Sequence, residues 1–130
     1  NEARAAGADC GTAGVFQPTG PLTAEPHLRC ASRLHSKDMS VRNFFDHINP
    51  DGIGPGPRIT EAGYSWSTWG ENIACGADTP ESVVAGWLSS DGHCGNLMNP
   101  SFVHTGLGFY EGEGDCSGMY WTQTFGASPP

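Results

Sequence analysis

At 130 residues the chain has room for one domain and one hydrophobic core. Six Lys and Arg against 14 Asp and Glu leave a formal charge of −8, a surface that repels phosphate backbones and anionic headgroups and excludes nucleic acid as an expected partner. No apolar run approaches the roughly 18 residues of a membrane span, so no transmembrane segment is expected, and five cysteines without a CxxC pair favour an oxidising, extracellular setting over a zinc ribbon or thioredoxin-type site.

Residues 1–20, rich in Ala, Gly and Pro and without periodicity, read as an extended N-terminal arm, and residues 21–130 as the domain proper. Thr23 is a good helix N-cap, with Pro26 in the first turn where no N–H is needed. Leu28, Ala31, Leu34 and Met39 then recur at helical spacing and predict an amphipathic helix running to Asn43. Arg29, Arg33, Lys37 and Arg42, the one basic cluster, fall on that helix and read as its solvated face. Asn49-Pro50-Asp51-Gly52 and Gly54-Pro55-Gly56-Pro57 predict a turn and a loop, followed by a short helix over Arg58–Ala62 that Gly63 closes at C′. Trp69–Ala74 reads as a short buried strand. Thr79-Pro80-Glu81 supplies an N-cap, a proline at N1 and an acid in the first turn. The helix it starts has Val83, Val84, Trp87 and Leu88 as its apolar face, with Gly92 placed to end it. Val103–Tyr110 and Met119–Phe125 have strand patterns; in the second, Met119, Trp121, Gln123 and Phe125 alternate with Tyr120, Thr122 and Thr124, which predicts an antiparallel hairpin across Glu111–Ser117. The order of helix, loop, strand, helix and hairpin is that of a layered α+β domain.

Among the five histidines, His27 falls in the first helical turn and reads as solvated. His35 lies beside the apolar stripe, where a hydrogen-bonded structural role is expected, and nothing near His104 recruits it. His47 follows Phe44-Phe45 and precedes a tight turn, and His93 stands past a predicted helix end in Asp91-Gly92-His93-Cys94; both can face a cleft. Glu71 is an acid set among Trp69, Gly70, Ile73 and Ala74. A buried carboxylate needs an imidazolium, an arginine or a metal beside it, or backbone N–H groups to hold a loop. Two His and one Glu match the ligand set of some catalytic zinc sites, yet 24 residues separate His47 from Glu71 and 22 separate Glu71 from His93, and HExxH is absent. Ser89 and Ser90 lie near His93 without a Gly-x-Ser-x-Gly elbow, and Cys94 reads as a bridge rather than a nucleophile. Tyr64, Trp66 and Trp69 form an aromatic cluster suited to packing or to stacking on a sugar or an apolar ligand.

Several short motifs recur in one order: Leu34-His35-Ser36-Lys37-Asp38-Met39, Phe44-Phe45-Asp46-His47, Pro50-Asp51-Gly52, Arg58, Ala62-Gly63-Tyr64 and Gly70-Glu71-Asn72-Ile73-Ala74. Gly86-Trp87, Gly92-His93-Cys94, Asn96-Leu97-Met98-Asn99-Pro100, Gly106-Leu107-Gly108 and Tyr120-Trp121-Thr122-Gln123 complete the series. From Pro21 to Gly126 the chain resembles the bacterial, SCP-like extracellular branch of the CAP superfamily, which comprises the cysteine-rich secretory, antigen 5 and pathogenesis-related 1 proteins. The resemblance implies a three-layer α-β-α sandwich with a central antiparallel sheet and an open cleft, which in many members carries two histidines and two acids. His47, Glu71 and His93 fall on three of those four positions, with His47 and His93 as the implied ligands of zinc or another divalent metal and Glu71 as the candidate catalytic acid or base. Ser90 stands about where the second acid is expected, which leaves less capacity for two-carboxylate chemistry. Cys10-Gly11 together with Gly92-His93-Cys94 matches the bacterial pattern and implies a Cys10–Cys94 bridge; Cys75–Cys116 is the expected second pairing, with Cys30 free.

The expected function is a secreted, monomeric binding or interaction module whose His/Glu cleft can take a divalent metal and whose ligand is a lipid, sterol, glycan or protein. The rival expectation is a zinc-dependent, protease-like hydrolase with metal on His47 and His93 and Glu71 activating water. A sterol or lipid carrier, the third, requires an apolar groove lined by residues such as Trp66, Trp69 or Met98.

Overall fold

The alternating C-terminal strands and the helical stripe before them sort into three layers in the computed structural model, which describes residues 1–130. The sheet is ordered β3 (Thr23–Ala24), β5 (His104–Glu111), β6 (Met119–Ala127) and β4 (Thr68–Cys75). Its long strands pair antiparallel, β5 with β6 and β6 with β4. The short β3 pairs parallel to β5 at Thr23–His104 and Ala24–Thr105, so the sheet is mixed rather than purely antiparallel.

One face of the sheet carries α2 (Pro26–Val41) and the other α4 (Pro80–Leu88) with α5 (Asp91–Met98). Alternation along the strands sends Ile73 and Tyr120 towards Met39 of α2, and Trp121 towards Val83 and Trp87 of α4. Both sets are covered, which is why β6 is buried from Tyr120 to Gly126. The approach of α2 to β5 depends on glycine. A Cβ at Gly106 would overlap the backbone of Leu28 and Arg29, and one at Gly108 that of Ser32 and Arg33. Into this narrow gap Ser32 Oγ and Ser36 Oγ donate to the carbonyls of Gly106 and Gly108, each at 2.9 Å.

Local chemistry moves several predicted boundaries. Thr23 lies in β3, and Glu25 caps α2 instead, its carboxylate accepting from the Leu28 N–H at 2.9 Å. The helix ends at Val41, two residues before Asn43, which takes a left-handed φ of 51°. Leu34, expected in the core, is 60% exposed, because the buried stripe of α2 runs through Leu28, Ala31, His35 and Met39. The next helix, α3 (Pro55–Glu61), starts on Pro55 at N1 after Gly54 and still stops before Gly63, whose φ is 103°. α4 begins at the predicted Thr79, whose hydroxyl and that of Ser82 complete a reciprocal capping box. It ends before Ser89, and Gly92 lies inside α5 rather than past a helix end.

Residues 1–20 hold more structure than an extended arm. They form α1 (Glu2–Ala6) and a two-stranded ribbon of β1 (Ala8–Asp9) and β2 (Val15–Phe16) around a turn at Gly11–Ala13. Arg4 is buried and donates to the carbonyls of Gly20, Leu97, Asn99 and Phe102 at 2.7–3.0 Å. Cys10 bonds Cys94 and Cys75 bonds Cys116, with Cys30 free and exposed, as expected. No helix is long and apolar enough to cross a membrane.

Candidate functional site

β4 forms one edge of the sheet, and its side chains serve both layers. Glu71 points to the face covered by α2. Asn72 points to the face covered by α5, where its Nδ2 donates to the His93 carbonyl at 3.1 Å. Asn96 of α5 locks this arrangement, its Nδ2 donating to the Glu71 carbonyl at 3.2 Å and to Asn72 Oδ1 at 2.9 Å. His47 and His93 thus approach the β4 edge from opposite layers.

The Glu71 side chain is 1% exposed, and its charge is answered on both oxygens. Arg58 Nη2 donates to Oε1 at 3.1 Å and Oε2 at 3.0 Å, and also to the His47 carbonyl at 2.9 Å. His47 Nδ1 lies 2.8 Å from Oε1. Of the partners expected for a buried acid, the arginine and the imidazole are both present. Arg58 reaches the site because Pro55 starts α3 early enough to place it in the last turn.

The three neighbouring imidazoles are biased differently. The hydrogen bond to Glu71 raises the His47 pKa above the ordinary histidine value. Burial lowers that of His93, and the nearby charge of His47 lowers it further. His35 is fully buried and burial lowers its pKa as well. Although its Nε2 lies 4.0 Å from Glu71, a neutral ring makes no ion pair there; it bonds the Asp46 carbonyl at 2.9 Å, the structural role expected of it.

His93 Nδ1 lies 2.9 Å from Ser90 Oγ, so the residue standing near the missing acid orients this ring instead. With both Nδ1 atoms occupied, the Nε2 atoms of His47 and His93 are left without protein partners. A cavity of about 400 Å³ on the His47 side is lined by His47, Ile48, Pro55, Trp69, Gly70, Glu71 and Asn96. No three His, Cys, Asp or Glu side chains converge as a metal-ligand group. His47 and His93 are the residues that would hold a divalent cation through their free Nε2 atoms, with water or ligand completing its shell, while Glu71, committed to Arg58 and His47, would orient a ligand rather than be one.

Other expectations shift. Met98 is fully buried and cannot line an open groove, whereas Trp66 is partly exposed and edge-on to Trp69 at 6.4 Å between ring centres. His104 does have a partner, Tyr64 Oη at 2.8 Å. Asn72, Asn96 and Ser90 had no role assigned from sequence; the signal available was their place inside the Gly-Glu-Asn-Ile-Ala and Gly-His-Cys neighbourhoods.

The profile of the cysteine-rich secretory protein family, CAP, matches residues 17–125. The chain is 43% identical over 105 residues to the uncharacterized protein YkwD of Bacillus subtilis, covering 81% of this chain and 39% of that protein. It is 33% identical over 91 residues to the uncharacterized membrane protein YlbC of the same organism, covering 70% and 24%. It therefore spans well under half the length of either curated relative. Among solved structures, an extracellular SCP-domain protein from Bacillus anthracis superposes with a TM-score of 0.77 at 30% identity, over 85% of this chain and 35% of that one. An outer surface protein of Borrelia burgdorferi, at 21% identity and a TM-score of 0.73 over 85% and 80% of the two chains, shares the fold. On its profile, its motifs and its layered architecture, the chain belongs to the cysteine-rich secretory protein family, CAP.

Proposed function

We infer that this domain is a secreted binding module whose cleft presents His47 and His93 to its ligand, directly or through a divalent cation such as zinc. One observation carries this reading over hydrolysis. The Glu71 carboxylate is buried and both its oxygens are bonded to Arg58, with Oε1 also held by His47. A general base must be within reach of the water it deprotonates, and these oxygens are held by Arg58 and His47 and shielded from solvent. The two disulfides and the extracellular or surface character of the similar structures support secretion.

Calorimetry with zinc on the wild type, His47→Ala and His93→Ala tests the cleft. The wild type is expected to bind, each variant to bind at least tenfold more weakly, and affinity to fall with pH, first through the raised pKa of His47 and then through the lowered pKa of His93, since ligating imidazoles must be neutral. Equal binding by all three proteins would remove the cation from the reading. Zinc-dependent peptide or ester hydrolysis abolished by Glu71→Gln would replace the module with a hydrolase.

A further inference from the structure

The edge of the sheet opposite the cleft is largely open. β3 pairs only with His104 and Thr105, so on the side away from β6 the β5 strand has no neighbour from Gly106 to Glu111. The carbonyls of Val103 and Thr105 point to this side, accepting from Thr23 and Glu25 at 2.9 Å. Strand alternation then turns the N–H and C=O of Leu107 and Phe109 outward too. The side chains of Leu107 and Phe109 lie on the face away from α2 and remain 47% and 41% exposed. An unpaired edge with apolar side chains is a template for another strand.

Charge marks the same edge. Three of the six cations are committed: Arg4 to four carbonyls, Arg42 to Asp38 and Asp51, and Arg58 to Glu71. The other three, Arg29, Arg33 and Lys37, are exposed and make no ion pair. They recur every fourth residue along α2, with the Arg29 backbone packed on Gly106 and the Arg33 backbone on Gly108, so the row runs beside the open edge. Four helical residues rise about 6 Å, while alternate residues of a strand recur about every 6.8 Å. A strand laid on β5 would therefore present every second side chain to this row and the intervening ones to Leu107 and Phe109.

We propose that the β5 edge docks an extended acidic segment of a partner protein, added as a strand with carboxylates at alternate positions facing Arg29, Arg33 and Lys37. The rest of the surface is acidic and repels such a segment, which restricts it to this edge. Glu25 and Glu111 stand at the two ends and limit the run of carboxylates to the stretch between them. Where β3 leaves off, a cavity of about 260 Å³ lined by Ala24, Glu25, Pro26, Arg29, Thr105 and Leu107 receives the first side chain of the incoming strand. This site is independent of the cleft.

The probe is a fluorophore-labelled peptide of alternating valine and glutamate, titrated by anisotropy against the folded domain. Expected are saturable binding that weakens with salt, at least tenfold weaker binding of the lysine-for-glutamate peptide, and slowed hydrogen exchange of the Leu107 and Phe109 amides when the acidic peptide is present. Arg33→Glu, a change at an exposed position, is expected to lose at least tenfold in affinity with an unchanged melting temperature, and Lys37→Glu serves as a second reversal. Absence of binding, or wild-type affinity in both reversals, overturns the proposal. Equal affinity for a backbone N-methylated peptide or for heparin reduces the site to a charge patch and overturns strand addition. A sedimentation dimer with the two amides already slow to exchange without peptide assigns the edge to a second copy instead.

Discussion

Replacing Arg58 with methionine removes the one permanently charged cation facing Glu71 while keeping most of the buried aliphatic volume. The Arg58 side chain is 12% exposed and that of Glu71 1%. Three contacts of Nη2 disappear at once, and His47 is left as the sole side chain bonded to the carboxylate. Breaking a buried pair by deleting one partner costs about 3–5 kcal/mol, a large share of the roughly 5–15 kcal/mol that hold a domain together. For a chain of this size that loss lowers the melting temperature by about 10–20 °C. The double variant Arg58→Met/Glu71→Met should recover most of the loss, since the remaining charge is removed with its partner. Urea denaturation of the wild type, both single variants and the double completes the cycle. A loss below about 1 kcal/mol in Arg58→Met, or a double variant no better than the sum of the singles, would refute the view that Arg58 holds Glu71 in place.

The pH dependence of stability should peak near about 6.5, the ordinary histidine value. The contribution of His47, whose folded pKa is raised, is fully present below that value and lost as pH rises through the raised pKa; those of His35 and His93, whose pKa values are lowered, are fully present above it and lost as pH falls. Urea midpoints across pH should show His47→Gln flattening the alkaline limb and His35→Gln the acid limb. A thiol reagent should label Cys30 alone in the folded protein, and unreduced peptide mapping should recover both bridges; the 84-residue separation of Cys10 and Cys94 makes that bridge worth about 4.5 kcal/mol on loop entropy. A chelator should leave the melting temperature within a degree or so, because no three-ligand metal group ties the core together; a fall of tens of degrees would indicate a structural metal.

The long, patterned parts of the fold were legible in the sequence. The period of two in β6 and the Thr79-Pro80 start of α4 appear where expected, because local chemistry and tertiary burial agree there. α5 was not legible: Asp91-Gly92-His93-Cys94-Gly95 has two glycines and no apolar period, and the helix forms because the Cys10–Cys94 bridge and the buried Met98 hold it against the rest. Leu34 was misplaced because helical spacing alone does not say which face meets the sheet. That is decided by Gly106 and Gly108, more than 70 residues away. In the cleft, a lone acid among apolar residues announced that Glu71 needed partners, but the choice of Arg58 and His47 depends on where α3 begins and how β4 is paired, which are long-range facts.

The anchoring of Arg4 has a kinetic consequence. Its hydrogen bonds to Leu97, Asn99 and Phe102 join residues 93 to 98 positions apart, so the anchoring of the first helix waits on synthesis through Phe102. Until then Cys10 is unprotected while its nearest cysteine in sequence, Cys30, is available, and loop closure over the shorter distance is entropically easier than closure onto Cys94. Oxidation ahead of that point would favour a Cys10–Cys30 bond, which Cys94 would then have to displace by thiol–disulfide exchange before α5 is braced. Cys30, free and exposed in the finished fold, is the thiol through which such a detour would run.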